Sequence, residues 1–160
     1  MQCKVMVSKK ELTAFDTRKY PVHPHVGVGT LHVRHNSLLL IKRKYDPDAG
    51  YWSIPGGHLD LGEKVQKAAE REAYEETGFK VKVTKLAGII DKIMLDNDGK
   101  IKYHYVLLNY FVEQIDGKTS DPPTAHDDAL DAIFVPFDQL KSYKLTESLI
   151  ELLKQLKIGF

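Results

Sequence analysis

The sequence predicts an α/β fold, a mixed and mostly antiparallel sheet lying between helices. Three observations predict it. The stretch EKVQKAAEREAYEET (63–77) carries strong helix formers and no Gly or Pro. Runs with the composition and alternation of strands lie on both sides of it. A second helical pattern closes the chain, with Leu149, Ile150, Leu153 and Leu156 on one face.

In chain order, residues 1–20 alternate weakly and are expected to supply an edge strand within an N-terminal extension, 1–24, punctuated by Pro21 and Pro24. HVGVGTLHV (25–33) reads as a strand, 34–37 as a turn and 38–43 as the hairpin partner. The Asp46-Pro47-Asp48 stretch makes 44–50 a loop. YWSI (51–54) reads as a short strand ended by a tight turn at Pro55-Gly56-Gly57, and Glu63 opens the central helix. Gly78 stands at the left-handed terminating position and the apolar Phe79 follows. Residues 79–83 read as a short strand, and 86–95 with 101–112 as a long hairpin closed by Asp96-Asn97-Asp98-Gly99. The polar segment 115–129 is expected to be a mobile loop, and 131–135 a last strand before Pro136. Thr146 caps the final helix, within 141–160.

The 160 residues suit one domain, 1–160, with a full core. Hydrophobic residues at 42% and charged residues at 28% are ordinary for a globular chain. A net charge of +1 provides no bulk field that would advertise a nucleic-acid polymer or a membrane. Arg occurs only at 18, 34, 43 and 71, and most of the lysines read as solubility residues. The sole cysteine, Cys3, excludes an internal disulfide and suits a reducing compartment. The N-terminus lacks the apolar stretch of a signal peptide, and no apolar run approaches membrane-spanning length. The expected location is cytoplasmic.

The central helix carries the chemistry. At about 100° per residue, Val65, Ala68, Ala69 and Ala73 share a thin face that should press closely on a sheet. Glu72, Glu75 and Glu76 project into the same sector and interrupt it. Clustered carboxylates repel, and desolvation raises their pKa values unless a cation compensates. Oxygen donors select Mg²⁺, Mn²⁺ or Ca²⁺ over zinc, and no His or Cys cluster with zinc spacing occurs elsewhere. The competing reading is a solvated, charge-laced helix, since Arg71 and Glu75 stand four apart. The flanks favour the metal site: strand, glycine loop and helix start together form an anion-binding arrangement.

The run GHLDLGEKVQKAAEREAYEETGF (57–79) resembles the Nudix box. That box is a glycine, five residues, a glutamate, seven residues, then Arg-Glu-apolar-any-Glu-Glu-any-Gly-apolar. Here Gly57, Glu63, Arg71, Glu72, Ala73, Glu75, Glu76, Gly78 and Phe79 fill the fixed positions, Ala73 being smaller than the usual branched aliphatic. Weaker resemblance extends over 25–140. The resemblance implies a Nudix-type α/β/α sandwich and hydrolysis of a phosphoanhydride with Mg²⁺ or Mn²⁺. It implies Glu72, Glu75 and Glu76 as metal ligands, helped by the Gly56 carbonyl, with Arg71 orienting Glu75 or Glu76. Glu63 stabilises the loop or binds a further metal, or is simply a favourable charge at a helix start. The general base is Glu72 or an acidic residue among Asp127, Asp128 and Asp131, which read otherwise as a solvated turn cluster.

Substrate contacts are assigned to Gly57, Asp128, Arg43, Trp52 and His104. One of Arg43, Lys42 and Lys44 holds a terminal phosphate, or these charges simply face water at the strand end. Trp52 stacks a base or packs in the core. His104 points to the cleft or lies on the wet face. The segments YPVHPHVGVG, YDPDAGYWSIPGGHLDLGE, YHYV and DDALDAIFVP look most like ADP-ribose pyrophosphatases, implying a small nucleotide substrate cleaved to AMP and ribose 5-phosphate. PGGHLD and YHYV also resemble housecleaning nucleoside triphosphate pyrophosphohydrolases. A non-catalytic, nucleotide-sensing regulator is a third reading. The complete set of box glutamates and the lack of room for a second domain speak against it. Dimers are common among similar proteins, and the N-terminal strand is a candidate pairing element for a homodimer.

Overall fold

The computed structural model describes residues 18–118 and 120–160. Seven strands and two α-helices follow in the order β1 (His25–Arg34), β2 (Ser37–Arg43), β3 (Trp52–Ser53), β4 (Gly56–His58), α1 (Val65–Thr77), β5 (Val81–Leu95), β6 (Ile101–Gln114), β7 (Ala129–Pro136) and α2 (Glu147–Leu156), with a 3₁₀ helix at Phe137–Ser142. The strand order is β3-β2-β1-β6-β5, with β4 added to β1 and β7 to β2. Among the strands of the described residues β1 and β6 run parallel, and the other pairs are antiparallel. The sheet is mixed and mostly antiparallel, as the sequence predicts.

The helices cover opposite faces, and strand alternation shows why. Leu38 and Leu40 of β2 pack with Leu149, Leu152 and Leu153 of α2. Leu39, between them, packs with Ala73 of α1, alongside Phe79 and Val112. Ala68 and Ala69 of α1 are wholly buried against Val28 and Tyr110. Small side chains let this helix lie close to the sheet, which fixes the depth of its carboxylates. Gly78 ends α1 in the left-handed region, φ 75°, and its N–H donates to the Tyr74 carbonyl.

The sheet is split. β1 pairs with β2 only at Val33–Leu38 and Arg34–Ser37. Beyond that point β2 turns to β3 and β7, while β1 turns to β4 and β6. The two halves part, and a cleft opens between them. Gly29 and Gly56 oppose one another at its floor. A Cβ on Gly56 would stand 2.1 Å from the Val28 carbonyl oxygen, so only glycine admits this approach.

Several elements differ from the sequence expectation. Gly56–His58 is a short strand rather than a tight turn. Residues 79–83 and 86–95 belong largely to one strand, β5, interrupted by register shifts at Val83/Lys85 and Leu86/Gly88. Glu63 does not open the helix: Lys64 is the N-cap, and the Glu63 side chain is drawn to Arg71 instead. Leu152 joins Leu149 and Leu153 on the buried face of α2, while Ile150 and Leu156 are half-buried. The 115–128 connection, expected to be mobile, is tied to α1: the His126 N–H donates to the Glu76 carbonyl and Thr124 N–H to that of Thr77. The edge strand expected in 1–20 falls mostly outside the described residues.

Candidate active site

The last two turns of α1 and the 115–128 connection enclose an acidic hollow of about 460 Å³, lined by Glu72, Glu75, Glu76, Asp127, Asp128 and Tyr45. Glu76 is 4% exposed. Its Oε2 accepts from the Gly56 N–H at 2.8 Å. Burial, reinforced by the charges of Glu72 and Asp128, pushes the Glu76 carboxyl up to about 8 against the pull of that N–H. Burial likewise raises Glu72, with Arg71 opposing. Carboxylates so placed are short of compensating charge, and their donors are all oxygen. They fit a hard divalent cation. Among the described residues no three of them converge as a closed cage, because Arg71 draws Glu72 and Glu75 to itself while Gly56 holds Glu76.

Arg71 is the hub. Its five N–H groups serve five bonds: Nε and Nη2 to the two Glu63 oxygens at 2.9 Å each, Nη1 to Glu72 at 2.8 Å and Glu75 at 3.0 Å, and Nη2 to the His58 carbonyl at 3.0 Å. This fork pins the glycine loop to the helix and holds the Glu63 carboxyl below its ordinary range. The orienting partners of Arg71 are Glu72 and Glu75; Glu76 is oriented by backbone. Glu72 lies against Gly57, where a Cβ would meet both carboxylate oxygens at 2.4 Å.

The hollow adjoins the cleft of about 440 Å³ in the split sheet, sharing Glu76, Asp128 and Tyr45. Gly27, Gly29, Tyr105, Leu107 and Asn109 line one wall of the cleft, and Ile41, Arg43 and the 44–48 loop line the other. The N-terminal turns of α2, with Thr146, Ser148 and Leu149, close one side. His58 lines it too; its Nε2 is buried without a partner among the described residues, and burial lowers the basicity of the ring. Lys92 of β5 pairs with Asp48 in the same wall.

The structure brings Gly56, Gly57, Glu72, Glu75, Glu76, Arg43 and Asp128 around this joined space. Glu63 and Arg71 stand directly behind it. Trp52 and His104 lie elsewhere. Trp52 packs against the α2-side core, its ring edge-on to Tyr143 at 5.5 Å. Strand alternation turns Tyr105, Leu107 and Asn109 to the cleft and His104 to the opposite face. Asp131 sits in β7 beside Lys42 and lines neither space. Sequence reasoning missed Lys92, Asp48, His58 and Asn109. Lys92 had a signal: it shares the parity of buried Ile90, so a charged residue was aimed inward.

A family profile described as NUDIX domain matches residues 23–156. The chain belongs to the Nudix family. An ADP-ribose pyrophosphatase of Methanocaldococcus jannaschii is 36% identical over 135 residues, covering 83% of this chain and 75% of that protein. Among solved structures, a MutT Nudix hydrolase from Burkholderia pseudomallei superposes with a TM-score of 0.69 at 31% identity, covering 84% of this chain and 98% of the other. The Nudix domain of Shewanella oneidensis NrtR, solved with ADP ribose, shares the fold with a TM-score of 0.67 at 17% identity, covering 94% and 97%. The chain is a Nudix pyrophosphohydrolase, and among the described residues no helix is long and apolar enough to cross a membrane.

Proposed function

We propose that the protein hydrolyses the pyrophosphate of a nucleoside diphosphate linked to a sugar, foremost ADP-ribose to AMP and ribose 5-phosphate, with Mg²⁺ or Mn²⁺. The observation that carries this reading is the joined space itself: an acidic hollow for the cation and diphosphate adjoins a cleft of about 440 Å³ that offers room for a second group beyond the phosphates. The similarity to the archaeal ADP-ribose pyrophosphatase supports it.

Glu72, Glu75 and Glu76 would hold the cation, with the Gly56 carbonyl beside them. When bound, the cation neutralises phosphate charge and makes a bound water more acidic. Glu72 is the favoured proton acceptor, because it lines the hollow and Arg71 holds one of its oxygens in a fixed orientation. Arg71 and Glu63 fix the angle between helix and glycine loop. Arg43, in the wall of the cleft beside the hollow, would contact the diphosphate. Gly57 keeps the approach to Glu72 open.

The first test is Glu76→Gln. The Gly56 N–H retains an oxygen acceptor, so folding persists, while metal-dependent hydrolysis is lost; full activity in this variant would sink the ligand assignment. The second is a panel with product identification: ADP-ribose, NADH, diadenosine polyphosphates, nucleoside triphosphates and nucleotide sugars. ADP-ribose is expected to give the highest kcat/KM. A preference for triphosphates, releasing pyrophosphate, would overturn the substrate assignment.

A further inference from the structure

The Lys92–Asp48 pair stands in the wall of the cleft with its two side chains 15% and 17% exposed. It joins the edge strand β5 to the loop between β2 and β3, forty-four residues apart in sequence. As a stability device it is a poor choice, since a desolvated ion pair generally gains little over an apolar pair of similar size. Each partner keeps spare capacity. An ammonium has three donors, and Asp48 is the one partner of the Lys92 Nζ among the described residues; the Asp48 Oδ1 accepts no bond there.

Lys92 and Asp48 line the same cleft as Arg43, Glu76 and Asp128, so the space that meets the carboxylates also meets the pair. A substrate diphosphate at the carboxylates and Arg43 leaves the pair for the group attached to it. A further phosphate does not suit the pair, because Asp48 repels it. A donor and an acceptor side by side suit two adjacent hydroxyls, one accepting from Nζ and the other donating to Oδ1. Tyr105, the cross-strand neighbour of Lys92, lines the same cleft.

The geometry points to Lys92 and Asp48 as a clamp for the vicinal diol of a ribose, and so as the specificity-determining pair of this enzyme. This rests on the cleft being the substrate site, and the diol belongs either to the nucleoside or to the terminal ribose. The test is therefore read by binding rather than turnover. AMP, 2′-deoxyAMP and ribose 5-phosphate are titrated calorimetrically into the wild-type protein, Lys92→Met, Asp48→Asn and the apolar double variant Lys92→Met/Asp48→Leu, whose melting temperatures report the fold. If the nucleoside ribose is clamped, AMP binds about tenfold more tightly than 2′-deoxyAMP, and the variants abolish that difference. If the terminal ribose is clamped, the variants weaken ribose 5-phosphate about tenfold and leave both nucleotides unchanged. Unchanged affinities for all three fragments in folded variants overturn the proposal. So does an equal loss for AMP and 2′-deoxyAMP, which would mark a contact to the base. Failure of the hydrolytic reading would appear separately, in the Glu76→Gln assay.

Discussion

At the scale of single residues, the site depends on what is missing as much as on what is present. Gly57 has no side chain where the Glu72 carboxylate lies, and a Cβ there would come within 2.3 Å of its Cδ. The flexible end of Glu72 is the part able to give way. Gly57→Ala should therefore keep the fold but lower kcat/KM by about 10²-fold, a loss typical of a misplaced catalytic group, measured beside an unchanged far-UV spectrum. Arg71 makes the opposite case. A lysine reaches one partner where the guanidinium reaches Glu63, Glu72, Glu75 and the His58 carbonyl. Arg71→Lys should cost about 2 kcal/mol in urea unfolding, a figure discounted for the partial exposure of the cluster. It should also depress kcat more than KM; a variant with wild-type kcat would remove Arg71 from the positioning role. These residues were legible in the sequence because their types and spacing are fixed. Lys92 and Asp48 were not paired in advance, since nothing local says that an inward lysine on one strand meets a loop carboxylate 44 positions away.

At the scale of elements, periodicity revealed the long pieces and failed on the short ones. The alternation of β1, β2 and β6 and the 3.6-residue pattern of both helices are written in side chains, and the structure follows them. The three-residue β4 has two glycines and hence no side-chain pattern; pairing with Gly27–Gly29 of β1 defines it. The bulges of β5 likewise follow from its partner β6 rather than from its own residues. The element that sets the chemistry is α1, whose distance from the sheet is set by alanines with no exposed surface. Ala69→Leu adds volume with nowhere to go. It should destabilise by about 1–3 kcal/mol, the range for overpacked cores. Because Glu72 and Glu76 ride on the same helix, hydrolysis should fall further than the lost stability explains. An Ala69→Ser variant, close in volume, should retain more of that hydrolysis; equal activity in the leucine and serine variants would show that the helix position is not critical.

At the scale of the whole molecule, the same split that opens the cleft leaves the closed end of the sheet to hold the halves together. His32, near the β1–β2 turn, belongs to this closed end. It is 5% exposed and meets Phe79 and Phe134 edge-on at 5.4 and 5.2 Å. Its Nδ1 is buried without a partner among the described residues. Burial first, and the charge of Arg34 second, lower its pKa to about 4 from an ordinary 6.5. The fold therefore holds a neutral ring, while the unfolded chain takes up a proton below 6.5. The stabilisation from this ring is whole above pH 6.5 and drains away as pH falls towards 4, by about 2–3 kcal/mol at one pKa unit per 1.36 kcal/mol. Glu76 acts in the opposite sense, because its raised carboxyl favours the fold as pH falls from 8 towards 4.5. A bare pH profile would blend the two, and a comparison separates them. His32→Phe keeps an aromatic ring between Phe79 and Phe134 and removes the titration. From pH 7 to pH 4.5 the variant's unfolding free energy in urea should gain on that of the wild type by about 2–3 kcal/mol, whatever the two proteins' difference at neutral pH. Parallel profiles over that interval would mean that His32 reaches solvent and protonates within the fold.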